Sequence, residues 1–377
     1  MKRLSWVFAA MLSLLLVMPA CAFQGAGSSP SEHVVSATEG TVRLIGRTVS
    51  DDGTTWLPQS GSAIEFEVTG SRATIDLASG AEGQDNPDQC PRFAVLVDGE
   101  VVFDDVLFEP QRTVEVALDP SVASVVEVIH LSEAVRGAVG VQSITVESSE
   151  ESPVVPTEDK GLSIEFIGDS ITCGYGVEGE GGDEPFMTTT ENFMKSYAYL
   201  TAQALGADYS AVCYSGYGVV SGWTGDGERN EGMLVPPLYE VVAKGYEQPW
   251  DFDAHSYDVV VISLGTNDYT YARTDEARME EFSRGYASFL EEVRAHNPES
   301  LIVCTMGTMG CHELYPYLEE AVESFEASTG DTRVLCYLSE EIDYEADGTG
   351  THEHPNAVTQ QKSADALVAV ISEALGL

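Results

Sequence analysis

Phe166-Ile167-Gly168-Asp169-Ser170-Ile171-Thr172-Cys173-Gly174-Tyr175-Gly176 decides how this chain is read. The mostly apolar run Ile164 to Ile167 leads directly into Gly-Asp-Ser, so it reads as a buried strand stopped by a tight turn. Outward from it, apolar runs at Ile164–Ile167, Tyr209–Cys213, Val259–Leu264, Leu301–Thr305 and Arg333–Leu338 alternate with helical stretches. Phe282, Tyr286, Phe289, Leu290 and Val293 fall on one helical face, and Asn297-Pro298 ends that helix. Leu314, Leu318, Ala321, Val322 and Phe325 make a second face; Leu367, Val370, Ile371, Ala374 and Leu375 make a third. Buried strands alternating with helices imply an α/β, doubly wound parallel sheet with helices on both sides. Reactive groups in such a sheet collect beyond the carboxyl ends of its strands, which places Ser170 where a nucleophile belongs.

Three more signals follow, each at an expected strand end. Tyr214-Ser215-Gly216-Tyr217-Gly218 follows the second strand, and Gly265-Thr266-Asn267-Asp268 the third. Asp347-Gly348-Thr349-Gly350-Thr351-His352-Glu353-His354-Pro355-Asn356 follows the last. Singly, each has a structural explanation: a turn glycine at 216, a helix cap at 267, a helix start at His354-Pro355. Together they supply what acyl transfer from an ester needs: Ser170 as nucleophile and His354 as base. The oxyanion donors are then the N–H groups of Ser170 and Gly216 and the side-chain amide of Asn267. A metal reading of His352 and His354, with Cys311-His312 nearby, lacks a carboxylate at a recognisable ligand spacing, so no metal is expected. With no C-x-x-C, a zinc ribbon is excluded.

The first half has a different period. From about residue 34 to 148 short alternating runs dominate, among them Ala63–Val68, Arg72–Leu77, Thr113–Leu118 and Val125–His130. Phe93–Val97 meets Val101–Phe103 across Asp98-Gly99-Glu100, a hairpin signal. This pattern predicts a small all-β sandwich of jelly-roll type over 34–148, an acidic Pro-containing linker over 149–160, and the α/β half over 161–377. Ahead of it, residues 22–33 read as a Gly/Ser/Pro tether, and residues 1–21 as a targeting segment. In the latter, Lys2 and Arg3 precede the apolar run Leu4 to Val17, too short for a stable membrane span, and Cys21 stands where a bacterial lipoprotein is lipidated. Ala20 and Ala22 would also permit ordinary cleavage; either route exports the protein, as a surface lipoprotein or freely secreted.

A formal net charge of −44 over 377 residues excludes nucleic acid, anionic lipid and polyanionic polymers as partners, and leaves neutral or weakly charged substrates. Membrane contact is then expected only through a lipid on Cys21. Besides Cys21 the chain has Cys90, Cys173, Cys213, Cys304, Cys311 and Cys336, and spacing alone does not pair them. Cys213, Cys304 and Cys336 sit inside apolar strand runs, where a buried free thiol is common.

In GDSI, the Gly of YSGYG, GTND and HPN, the stretch from about 161 to 377 resembles the SGNH (GDSL-type) hydrolases. More narrowly it is similar to carbohydrate esterase family two, through GDSITCGYGVEG, ENFMKSYAYLTAQALG, CYSGYGVVSG, LVPPLYE, SLGTNDYT and MGTMG, and in the first half through IGRT, PRFAVLVDGE and HLSEA. The resemblance implies a jelly-roll domain before an SGNH hydrolase domain. It also implies an acetyl esterase without cofactor, acting on O-acetylated plant poly- or oligosaccharides such as xylan and glucomannan, with preference for the 6-hydroxyl. The pattern departs from the family where an Asp often stands three residues before the catalytic His: here that position is Thr351. An Asp–aromatic pair expected before His-Pro is replaced by His352-Glu353. Family two is associated with Ser–His dyads oriented by a backbone carbonyl, so Asp347, Glu353 or a main-chain carbonyl is expected to orient His354. Tyr175, Tyr217, Trp223 and Tyr269 are candidates for the sugar platform. Two other readings stay open: a glycan-binding lipoprotein without catalysis, and an esterase or O-acetyltransferase acting on the producer's own envelope.

Overall fold

The computed structural model describes residues 30–81, 84–182 and 184–377. The targeting segment, Cys21 and most of the tether therefore lie outside the described residues. The first half holds β1 (Ser31–Val35), β2 (Arg43–Ile45), β3 (Val49–Asp51), β4 (Thr54–Leu57), β5 (Ala63–Val68) and β6 (Arg72–Ser79). After these come β7 (Arg92–Val97), β8 (Glu100–Val106), β9 (Gln111–Ala117), β10 (Ser124–His130), β11 (Val139–Ser148) and β12 (Val154–Pro156). They form two antiparallel sheets, β3-β4-β11-β6-β9 with β1 beside β11, and β12-β5-β10-β7-β8 with β2 beside β5. Period-two alternation explains the facing: Ile64, Phe66 and Val68 of β5 are buried between the sheets, whereas Glu67 is exposed. Ile75 and Leu77 of β6, with Val141, Ile144 and Val146 of β11, meet them from the other sheet.

The hairpin between β7 and β8 turns on Asp98 and Gly99, both with positive φ (51° and 82°), as a two-residue turn matched to strand twist requires. Within the stretch read as a linker, Val154–Pro156 pairs with β5 as an edge strand, and edges are where a strand tolerates proline.

The second half contains β13 (Ser163–Gly168), β14 (Asp208–Cys213), β17 (Val259–Ser263), β18 (Leu301–Met306) and β19 (Val334–Leu338), with a small hairpin of β15 (Val241–Ala243) and β16 (Tyr246–Pro249). The five long strands are parallel in the order β14-β13-β17-β18-β19. Between them run α1 (Ser170–Cys173), α2 (Tyr197–Leu205), α3 (Pro236–Tyr239), α4 (Thr266–Ala272), α5 (Glu276–His296) and α6 (Tyr315–Thr329), and α7 (Ala357–Leu375) follows the last strand. Helices α5 and α6 bury Phe282, Tyr286, Leu290, Leu318 and Phe325 against one face of the sheet, with Val260, Ile262 and Ile302. On the other face, α2 and α7 meet Phe166, Val261 and Val303. The face expected on the last helix buries Leu367 and Ile371, but Ala374 and Leu375 are exposed because the final turn runs past the sheet. The six described cysteines are free thiols, all buried except the half-buried Cys336.

The two halves share a core. Ile45, Ala63, Leu96, Ile129 and Leu131 of the sandwich pack with Phe193, Tyr197 and Tyr209 of the α/β half. Gly61 (φ 77°) makes the approach possible: a Cβ there would lie 2.2 Å from the Phe193 ring. Arginines of the sandwich cross the boundary. Arg47 is wholly buried, 3.0 Å from the equally buried Glu165 of β13, and donates to the carbonyls of Tyr239 and Val241. The Tyr239 hydroxyl donates to the second Glu165 oxygen at 3.0 Å. Arg43 pairs with Asp208 and Glu65, and Arg92 with Glu178 and Asp104.

Replacing Arg47 by Met would leave Glu165 as a buried carboxylate without its cation. The expected cost is about 3–5 kcal/mol, read as a lower urea midpoint with unchanged slope. A loss below about 1 kcal/mol would mean that this pair does not hold the halves together.

Candidate active site

The turn after β13 brings Ser170 to the sheet edge. Gly168 must lack a side chain, because a Cβ would lie 2.0 Å from the Thr172 hydroxyl. Asp169 caps α1 by accepting the N–H of Ile171 at 3.0 Å. Ser170 is buried, and its Oγ lies 2.8 Å from His354 Nε2. The other ring nitrogen, Nδ1, is 3.1 Å from the carbonyl oxygen of His352. A carbonyl only accepts, so the network assigns the proton to Nδ1 and leaves Nε2 to accept from the serine hydroxyl. Burial pushes the His354 pKa down to about 4, against a smaller raising effect of the backbone contacts at His352 and Thr351. The imidazole is therefore neutral at ordinary pH.

A strained turn aims the His352 carbonyl. His352 and Glu353 both have positive φ (52° and 60°), an uncommon state for residues with a Cβ. The turn is pinned on both sides: Thr351 N–H donates to Gly176 O at 3.0 Å, Gly350 N–H to His354 O at 2.8 Å, and the Asn356 amide to Asp347 O at 2.7 Å. Asp347 Oδ2 lies 2.6 Å from Lys362 Nζ, and Glu353 is exposed. Of the three candidates for orienting His354, the main-chain carbonyl is the one at hydrogen-bond distance.

The remaining strand ends converge on the same place. Gly216 (φ 84°) sits in the turn after β14, where a Cβ would lie 2.7 Å from the Met233 methyl. Asn267, in the first turn of α4, donates its amide to Tyr217 O at 2.9 Å and, over a longer 3.3 Å, to Asp169 Oδ2. That amide thus bridges the Ser170 turn and the Gly216 turn. Asp268 accepts the N–H groups of Val219, Val220 and Ser221 at 2.7–3.0 Å, fixing the loop beyond Gly216. Burial pushes Asp169 up to about 7, and the neighbouring Asp268 adds to this.

The four aromatic candidates separate. The Tyr175 ring lies 4.5 Å from that of His354, stacks on Phe186 at 4.5 Å, and its hydroxyl is 2.9 Å from His352 Nδ1. Trp223 is 58% exposed and donates its backbone N–H to Gly216 O at 2.7 Å, so it stands on the rim as an open ring. Tyr217 is core, its hydroxyl held by Lys244, and Tyr269 packs half-buried on the α5/α6 side. Sequence reasoning missed several neighbours of these turns: Phe186 against Tyr175, Asp268 on the loop beyond Gly216, Glu133 on the Ser215 N–H, and Arg136 and Glu191 beside Glu133. Asp268 alone had a signal, in its place after Asn267; Glu133 comes from the sandwich half and no local period marks it.

Residues 166–362 match the GDSL-like lipase/acylhydrolase family, and residues 44–156 match the carbohydrate esterase 2 N-terminal domain. The chain is 30% identical over 325 residues to a cellulase/esterase, CelE, of Acetivibrio thermocellus, covering 84% of this chain and 37% of that protein. It is 28% identical over 285 residues to an acetylxylan esterase/glucomannan deacetylase of Cellvibrio japonicus, covering 74% of this chain and 75% of that one. This chain thus spans little more than a third of the first relative. A family two carbohydrate esterase from Clostridium thermocellum, solved with cellohexaose, superposes with a TM-score of 0.78 at 29% identity, over 89% of this chain and 99% of that one. The chain belongs to the GDSL-like lipase/acylhydrolase family, with a carbohydrate esterase 2 N-terminal domain in front.

Proposed function

We propose that the protein is an exported carbohydrate O-acetyl esterase that removes acetyl groups, chiefly from 6-hydroxyls, from plant poly- or oligosaccharides such as xylan and glucomannan. The observation that carries the reading is the 2.8 Å contact between Ser170 Oγ and a neutral His354 Nε2. Relatives named for acetylxylan and glucomannan support the substrate class. Export rests on the N-terminal segment of the sequence, and the acidic surface suits neutral glycans.

In this reading Ser170 attacks the acetyl carbonyl as its proton passes to His354 Nε2. Negative charge on the tetrahedral oxygen is met by the Ser170 and Gly216 N–H groups and by Asn267, whose 3.3 Å contact to Asp169 is the one readily exchanged for it. His354 protonates the departing sugar hydroxyl, and the Ser170–acetyl bond is left. Water then gives a proton to His354 and its oxygen to the acetyl carbon, releasing acetate and restoring the serine. The His352 carbonyl steadies the imidazolium formed in both steps. The exposed Trp223 ring beside Gly216 and the Tyr175 ring beside His354 frame the sugar.

Acetate release from acetylated xylan and glucomannan oligosaccharides is expected for the wild type and not for Ser170→Ala. Release by neither, with sugar affinity retained, would replace hydrolysis by glycan binding; transfer to a sugar acceptor with little free acetate would replace it by acetyl transfer. Asn267→Ala should lower turnover about 10²–10³-fold, as for other single oxyanion donors; wild-type turnover would remove it from the site. Because His354 titrates near 4 rather than in the usual imidazole range, kcat/KM on a neutral acetyl ester should stay flat from neutrality into mild acid. It should fall only as the pH drops through about 4, where protonation removes the base. An acid limb near 6–7 that survives Asp169→Asn, and so does not come from the raised Asp169 carboxyl, would contradict a neutral histidine.

A further inference from the structure

Beneath the Ser170 turn lies a buried group of titratable side chains that the mechanism leaves unused. Glu133, from the segment between β10 and β11, and Glu191, from the segment before α2, are both fully buried. One carboxyl oxygen of each and Cys173 Sγ lie within 4.8 Å of one another. Glu133 Oε2 accepts the N–H of Ser215 at 2.9 Å, immediately before Gly216. Glu191 Oε2 accepts the N–H of Glu133 itself at 3.3 Å. The remaining oxygens, Oε1 of Glu133 and Oε1 of Glu191, are buried with no hydrogen-bond partner.

We propose that Glu133 is a positioning residue of the oxyanion site, and that one proton shared between Glu133 and Glu191 holds its carboxyl in place. The proposal rests on the esterase reading above. A proton on one of these carboxyls makes its unbonded oxygen a donor where both are otherwise acceptors, which lowers the cost of burying them; Glu133 Oε1 has only the 3.5 Å ion pair to Arg136. The proton also leaves one negative charge rather than two in a site closed to water. Arg136, 3.5 Å from Glu133 Oε1 and 4.4 Å from the Phe186 ring, faces that one charge. Burial pushes both carboxyls up, most strongly Glu191, where the charge of Glu133 adds to it. The other titratable groups facing the pair are Cys173, Cys213, Tyr175 and Lys244. Burial pushes the Cys173 thiol well up, keeping it protonated; with Arg136 supplying the positive charge, the group suits a shared proton better than a divalent cation.

The link to chemistry is the peptide between Ser215 and Gly216. Its N–H must aim at the acyl oxygen, and the carboxylate that fixes Ser215 fixes the orientation of the next unit. The sandwich half thus reaches the oxyanion turn through the Glu133 side chain.

The test uses the full chain, with kcat and KM on acetylated xylo-oligosaccharides and on 4-nitrophenyl acetate, and thermal midpoints measured alongside. Glu133→Ala is expected to lower kcat about 10–100-fold, less than loss of a whole donor, with KM nearly unchanged. Glu133→Gln keeps an acceptor for Ser215 and a donor for Glu191, so it should recover kcat to within about threefold. In the wild type kcat should decline on the alkaline side, as rising pH takes the shared proton and two buried anions repel. That limb should be absent in Glu133→Gln and Glu191→Gln, which have no proton to share. Wild-type kcat in Glu133→Ala, or an unchanged alkaline limb in both Gln variants, would overturn the proposal. The Gln variants decide the matter if the Ala variant fails to fold. If Ser170→Ala and Asn267→Ala also keep full activity, the esterase reading has failed instead.

Discussion

A histidine half withdrawn from water still needs a partner for its second ring nitrogen, and the site depends on how that need is met. Burial keeps the His354 imidazole neutral, and a neutral imidazole presents one donor and one acceptor in fixed places only while its tautomer is fixed. A carboxylate at Nδ1 would raise its basicity by a full charge; a carbonyl supplies only a dipole. The chain uses the His352 carbonyl, and bends His352 and Glu353 into left-handed conformations to aim it. Such residues cost on the order of 1–3 kcal/mol each and persist only where the surroundings hold them. Here the bonds from Thr351, Gly350 and Asn356 do so.

The same need governs the other strand ends. Asp169, Asp268 and Glu133 each accept backbone N–H groups of the turns at these strand ends, and each is buried. Buried acceptors without such donors would be destabilising; with them, they turn flexible turns into fixed ones. The turn that carries Gly216 is held both by these carboxyl-to-backbone bonds and by the apolar cluster that buries Tyr214, Tyr217, Val219 and Val220, and the Asn267 amide is held by the Tyr217 carbonyl. Side chains whose pKa values burial has raised therefore sit in the frame of the site, and His354, whose pKa burial has lowered, sits at its centre.

Much of this was legible because it is periodic or adjacent. All five parallel strands read as apolar runs, and the face of α5 was marked by Phe282, Tyr286, Phe289, Leu290 and Val293. Helix α2 was not marked by period, since Tyr197-Ala198-Tyr199-Leu200-Thr201-Ala202 is apolar nearly all round and packs both on the sheet and on the sandwich. The Ser170 and His354 turns stood out by their motifs. What orients His354 did not, because a main-chain carbonyl leaves no trace in residue identity; the same holds for the left-handed turn that aims it. Glu133 was hidden for a different reason. Its partner, Ser215, lies far along the chain in the other half, and long-range contacts between single polar groups carry no local signature.

Charge links the cohesion of the two halves to the character of the surface. The chain has 18 basic residues against 62 acidic ones, yet Arg43, Arg47 and Arg92 are buried or nearly so at the boundary between the halves. Arg136 lies mostly buried above Glu133. Four of the scarce cations thus sit where carboxylates are buried, while others, Lys195, Arg284, Arg333 and Lys362 among them, stay exposed in surface ion pairs. A polyanionic chain would meet a net charge of −44, whereas a neutral ring approaching Ser170 would meet an open Trp223 ring and a turn of backbone donors.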